Sequence, residues 1–547
     1  MRPFFSLLLL TAFLLPSCVQ SSPKPLPTIS PLSASATPPL TPTFTSPPPT
    51  QTATTQPPTP SPTLPSTTPT NSPTATSEFT LQQGMSLPLD RPLIAYEAYS
   101  GQNKVLLLAD PIARTIYEFS FPTTARFATP FLAGLSPDTR YFVYFEGGEL
   151  ETLYDVEYLH TSIPDLVLHV LDLRSGEVIF STPLLSPSFP EDLVPIAETI
   201  KDDWTFANFD APFEEVVEAI QEMLLDYIRN VAWSPDSSML AFASQDPGPS
   251  SDLYFFYPES KTARRITDDP GHVLKIYWAP DSSALALDTS LYDRHAREDT
   301  TYVLSRWGTL LTSLTSQVWF FHHWHDSTHA FFYGGTDAGD LFELKMVSAP
   351  DWTITMLWEG SYSDIAFTPD LSIFLLSSVM PSAPSPPDPG LFLGRTDDGS
   401  LRMLSEIWGW GAVSYWGSER FTFAASSIDG GIIGVTQDGE YMTLDDGYWH
   451  LATSPDGIYL AGYYQYRYGY SPSILPGLRI FDGNGLKRVA IDDVSVTCVH
   501  WNAASTVLAY QAEGRLYLWD VASGSTRLIS DQLDEEECAF NWVLDTP

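Results

Sequence analysis

Several groups of residues in this chain have the types that chemistry needs. The octets "VAWSPDSS" at 231–238 and "IYWAPDSS" at 276–283 each set a Trp, an Asp and serines close together. Such a set would serve a nucleophile, a metal ligand or a sugar platform. The stretch "FFHHWHDSTH" at 320–329 holds four of the ten histidines, and strand alternation puts His323 and His325 on one side. Paired imidazoles at that spacing are used by zinc. "LYDRHARED" at 291–299 groups acids, two Arg and His295, the components of general acid–base work. Finally, Tyr463, Tyr464, Tyr466, Tyr468 and Tyr470 alternate with Arg467. Tyr gives broad contact area with a polar tip at low entropic cost, and Arg adds cation–π and bidentate contacts.

Most of these groups lack a necessary companion. His323 and His325 have no evident third and fourth ligand. Asp326 also aligns with the turn Asp of the two octets, so it already has a local role. The 291–299 group reads as a solvated charged loop with no visible pocket. "TDDGS" and "DGNG" lack the length and carboxylate spacing of a calcium loop. No G-x-S-x-G elbow and no glycine-rich phosphate loop before a helix occurs. The sequence therefore assigns no catalytic residue, no metal ligand and no cofactor, and an enzyme is not expected.

Charge and composition narrow the partners. The net charge is -39, and residues 78–547 carry 25 basic against 66 acidic side chains. Such a surface repels phosphate backbones, which excludes nucleic acid as an expected partner. The N-terminus reads as a targeting segment over 1–17: Arg2, an apolar run from Phe4 to Leu15, then "LPSC". That ending resembles the bacterial lipobox, which implies lipidation at Cys18. Residues 18–77 are the lipidated Cys and a linker of Pro, Thr and Ser, too poor in apolar residues to fold. As extended polyproline-II it would reach on the order of 150 Å. The expectation is a domain anchored to the bacterial cell membrane by lipid alone, facing the extracytoplasmic side. The other two cysteines, Cys498 and Cys538, occupy similar places in successive repeats. In an oxidising compartment they form a possible disulfide.

The elements that position these residues come from an internal repeat. An aromatic-ended strand, a tight turn and an apolar strand recur from Leu135, Trp233, Trp278, Trp324, Phe367, Trp416, Thr453 and Trp501. A third strand, a Gly/Asp turn and a fourth strand follow, as in "RLYLWDVASGSTRLI" at 515–529. Four short strands per 40 to 50 residues is the β-propeller pattern. The expected fold is all-β: a single propeller over 78–547 with eight or nine four-stranded blades. The segment from Arg91 looks like a blade without its first strand, and "CAFNWVLDT" at the C-terminus like a first strand without a blade. Their pairing would close the ring. An inter-blade insertion at about 185–230 carries a predicted helix over 211–229. Asp210 is its N-cap, and Phe213, Val216, Val217, Ile220, Leu224, Tyr227 and Ile228 lie on one apolar stripe.

The W-S-P-D-[SG] pattern resembles the TolB-like propeller repeats, and "LYLWDVASG" at 516–524 is similar to the WD-repeat family. The resemblance covers about residues 90 to 547. It implies a propeller and says little about activity, because members of such families scaffold, bind ligands or accompany enzymes.

In a four-strand meander, connections 1–2 and 3–4 lie on one face, and 2–3 and the inter-blade link on the other. The first set reads short and the second long, so the second face is expected to be the working one. Its leading ligand-binding candidates are Tyr464, Tyr466, Arg467, Tyr468 and Tyr470. The expected partner is a protein or glycan, bound by a monomer acting as a binding or scaffolding module. The alternative is an envelope enzyme, glycan-acting or dependent on a metal or quinone.

Overall fold

Chain contacts divide the protein into two units, Met1–Pro73 and Thr74–Pro547. The computed structural model describes residues 80–83, 87–88 and 91–545, except 101–102, 129, 148–165, 186–226, 246–249, 269–270, 294–295, 317–318, 336–341, 360–361, 379–389, 398, 407–409, 428–430, 447–449, 465–476, 493 and 534–537. The targeting segment, Cys18 and the linker lie outside the described residues. So does most of the predicted helix. Its last turn is described: Tyr227 and Ile228 are helical, and Ile228 is buried between blades 2 and 3.

Nine successive sheets form a nine-bladed propeller. Seven are regular four-stranded meanders, from Val231–Arg265 (blade 3) to Val496–Ser530 (blade 9). Blade 2 has three strands, Tyr141–Glu146, Val167–Asp172 and Glu177–Pro183. Two isolated bridges, Arg126–Phe145 and Leu135–Phe142, hold its inner place, with a 3-10 turn at Phe131–Gly134 between them. Blade 1 is assembled from both ends of the unit. Phe540–Val543 pairs antiparallel with Leu93–Tyr96 as its inner strand, and Thr80–Gln83 adds a fifth, parallel strand outside Thr115–Ser120. The closing pairing leaves the ring without a free inner edge, the usual hazard of an open sheet.

The burial pattern follows from radial packing. Middle strands touch neighbouring blades on both faces, so Leu240–Ser244, Ile373–Ser378 and Gly431–Val435 are buried throughout. Outer strands such as Thr262–Arg265 are mostly exposed. Each large apolar side chain buried this way contributes about 1.5–3 kcal/mol.

The octets hold blades to one another. Trp278 Nε1 donates to the Ala232 carbonyl at 3.0 Å, Trp324 to Tyr277 at 3.0 Å and Trp501 to Ala452 at 3.1 Å. Trp233 reaches Gly134, and Trp542 of the closing strand reaches His500, both at 3.0 Å. In each case the acceptor just precedes the anchor residue of the preceding blade. Trp416 departs from this: its buried ring stacks on Phe421 at 5.2 Å. Within the turn, Asp236 Oδ1 accepts from Ser234 Oγ (2.6 Å) and from the Ser238 amide (3.0 Å).

A serine at the left-handed position of the turn makes a second inter-blade bond. Ser237, Ser282 and Ser505 sit at φ 58, 64 and 56, the left-handed region, where Gly457 stands in blade 8 at φ 70. Their hydroxyls accept from the amides of Asp138, Asp236 and Asp456 in the preceding blade, each at 3.0 Å. Glycine would relieve the backbone but forfeit that bond, so serine persists in an unfavourable conformation.

Candidate functional site

The second face, carrying the 2–3 connections, is less uniform than its sequence reads. In blade 9 the connection turns on Glu513 and Gly514, both at positive φ. In blade 4 the segment expected as a loop at 291–299 is largely strand. Ala284–Asp293 and Ala296–Ser305 pair in register from Ala284–Ser305 to Asp293–Ala296. These ten-residue strands exceed the five-residue Leu240–Ser244 of blade 3. At about 3.3 Å per residue the hairpin extends roughly 15 Å further on this face. Asp299, on the second of these strands, is buried rather than solvated.

Of the aromatic loop, only the start lies within the described residues. Tyr464 ends the strand Tyr459–Tyr464, is 4% exposed and belongs to the buried cluster between blades 7 and 8 that also holds Ile432, Leu460 and Phe481. It is a core residue, because strand alternation turns it towards blade 7. Tyr463 faces the other way and packs towards blade 9. Tyr466, Arg467, Tyr468 and Tyr470 lie outside the described residues.

The acids with raised pKa serve the ring. Asp288 is 3% exposed, and burial raises its carboxyl from 3.8 to about 6. It accepts from Thr301 Oγ1 at 2.6 Å and from the Phe321 amide of blade 5 at 3.2 Å. Burial likewise raises Asp364 to about 6; it accepts from the Val413 amide of blade 7 at 3.0 Å. Both amides belong to bulged inner strands, with register shifts at Phe321/His323 and Trp410/Val413. A bulge leaves a backbone group without a ladder partner, and these side chains satisfy it.

The four histidines do not gather at one point: His322 and His323 bring their Nδ1 atoms to 2.5 Å, whereas His325 and His329 turn to other partners. The His323 ring stacks on Phe331 at 4.9 Å, and burial lowers its pKa to about 4. His325 Nε2 lies 3.3 Å from the Pro369 carbonyl. His329 Nδ1 lies 2.9 Å from Asp326 Oδ2, whose other oxygen accepts from the Thr328 and His329 amides. Asp326 thus has the turn role its alignment implies. His325 and Asp326, with Phe367, Pro369, Ser414 and Tyr415, border an open cavity of about 490 Å³. It lies on the first face, at the turn ends of the inner strands of blades 5 to 7.

The two remaining cysteines meet. Cys498 in the inner strand of blade 9 is joined to Cys538, just before the closing strand, with Cα atoms 5.6 Å apart. His500 Nε2 lies 3.4 Å from Cys538 Sγ. Among the described residues, Cys498, His500 and Cys538 form the one set of three or more His, Cys or acidic side chains whose donor atoms converge, all within 4.8 Å. His500 went unnoticed in the sequence, although Cys-x-His on a strand places both side chains on one face.

No family model matches the chain. A 67-residue stretch is 37% identical to the "Uncharacterized peptidase YuxL" of Bacillus subtilis (strain 168), covering 12% of this chain and 10% of that protein. The chain thus spans about a tenth of the length of this curated relative. Among solved structures, a eukaryotic initiation factor aligns over 82% of this chain and 98% of its own, with TM-score 0.41 and 10% identity. The propeller domain of the Trilobed protease from Pyrococcus furiosus aligns over 72% and 93%, with TM-score 0.33 and 11% identity. The dihydro-heme d1 dehydrogenase NirN aligns over 69% and 72%, with TM-score 0.38 and 13% identity. Likenesses at this level carry no argument about activity.

Proposed function

We propose that this protein is a lipid-anchored, extracytoplasmic propeller of the TolB-like kind that binds or scaffolds a protein or glycan partner through its second face. The observation that supports binding over catalysis is the use of the buried acids. Asp288 and Asp364, whose raised pKa values would otherwise mark them as acid–base candidates, are engaged by amides of the adjoining blades. Their task is to hold a rigid ring, and rigid rings present loops. The -39 net charge favours a partner with basic or neutral contact groups.

The test is photo-cross-linking on intact cells with Tyr466, Tyr468 and Tyr470 together replaced by Ala; Tyr464 is left intact because it is core. Capture should fall at least tenfold, and unchanged capture rejects the aromatic loop as the site. Cys18→Ala should move the protein from the membrane fraction to the fluid; retention at the membrane rejects the lipid anchor. The match to a protein named as a peptidase favours a second reading, an envelope enzyme or its propeller part. Labelling of the purified chain by a serine-hydrolase probe would support that reading over binding alone.

A further inference from the structure

We infer that the closing seam is also a redox-gated metal site: when its disulfide is reduced, Cys498, His500 and Cys538 bind a thiophilic divalent ion of the zinc class. The geometry is nearly set. A tetrahedral zinc with bonds of about 2.3 Å to sulfur and about 2.0 Å to nitrogen needs an N···S edge of about 3.6 Å and an S···S edge of about 3.8 Å. His500 Nε2 and Cys538 Sγ are already 3.4 Å apart. The sulfur–sulfur edge must open, and the remaining sulfur–imidazole edge, within 4.8 Å, must settle near about 3.6 Å; rotation of the side chains does both while the cysteine Cα atoms stay 5.6 Å apart.

The frame around these donors is rigid. The His500 carbonyl accepts from the Trp542 indole at 3.0 Å, and the Phe540 ring meets the imidazole edge-on at 5.1 Å. Alternate residues of the closing segment, 538, 540 and 542, thus all touch His500. A register shift between Val496 and Cys498 marks a bulge in that inner strand, and bulges re-aim side chains. Cys498 is buried and Cys538 exposed, so the ion enters from solvent and water takes the fourth position.

The two states exclude one another. An external dithiol reduces the disulfide by exchange: two electrons break the S–S bond, each cysteine gains a proton, and the dithiol becomes a disulfide. The ion then displaces both thiol protons and gains two thiolates and one neutral imidazole. Either way, the last strand remains tied to blade 9.

The test uses the full chain with Cys18→Ser, so that these are the only two thiols. It is reduced, freed of reductant without air and titrated with Cd(II). The expected result is one ion per chain, a thiolate-to-metal ultraviolet band and release of two protons. The oxidised chain should give no band. His500→Gln should keep the thiolates yet weaken binding at least tenfold, with circular dichroism confirming the fold. A reduced chain without a stoichiometric band overturns the inference, as does affinity unchanged by His500→Gln. So does a band that survives Cys498→Ser with Cys538→Ser.

Discussion

Replacing Asp288 by Asn should change how stability depends on pH, and the size of the effect follows from its surroundings. The carboxyl is 3% exposed, and burial lifts its pKa from 3.8 to about 6, against the partial relief of the Thr301 hydroxyl. A folded-state pKa above the unfolded one means that the native state holds the proton more tightly. The contribution to stability is then complete below the unfolded pKa, near 3.8, and is lost as pH rises through about 6. About two pKa units at roughly 1.4 kcal/mol each amount to about 3 kcal/mol, most of it lost between pH 4 and 7.5. Unfolding entropy of roughly 2.1 cal/mol/K per residue gives a unit of this size about 1 kcal/mol per degree, so the loss is about 2–3 °C in Tm. Asn does not titrate. Its amide cannot reproduce both acceptor positions towards Phe321, which adds a constant offset at every pH. The informative quantity is therefore the slope. Melts followed by circular dichroism from pH 4 to 7.5 should show the variant gaining about 2–3 °C on the wild type as pH rises. Parallel curves, or a wild type that gains on the variant, would refute the assignment of the buried charge.

Two further outcomes follow from the inter-blade contacts. The Cys498–Cys538 bond closes a segment with sequence separation 40, for which chain entropy gives about 4 kcal/mol. Cys498→Ser with Cys538→Ser should lower Tm by about 4 °C, and an unchanged melt would mean that the seam is held by strand pairing alone. Ser282→Ala removes the bond to the Asp236 amide while keeping the left-handed backbone, and should cost about 1–2 kcal/mol in denaturant titrations. Ser282→Gly should cost less because it relieves φ; equal losses would show that the hydroxyl, not the backbone, sets the whole effect.

The sequence by itself determined the repeat, the all-β class and the closure of the ring by the two ends of the propeller. Those depend on local signals: two-residue alternation, turn residues, and a spacing that repeats whatever the neighbours do. It also located the turn role of Asp236 and Asp326, because an Asp bonding amides two or three residues ahead is a short-range event. The count of nine, against eight or nine from the spacing, needed the bridged segment that stands in for the inner strand of blade 2. Only the tertiary structure decided what each octet does for its neighbour. The Trp278 indole and the Ser282 hydroxyl find their partners 46 residues away, at Ala232 and Asp236. The same holds for Tyr464, which sequence placed in a binding loop and packing placed between blades. It holds for the charged segment that became a long hairpin, and for His500, whose meeting with Cys538 depends on the closing strand. The reason is common to all of them. A repeat specifies the blade, but contacts across blades depend on how adjoining sheets are inclined and where a bulge shifts the phase by one residue.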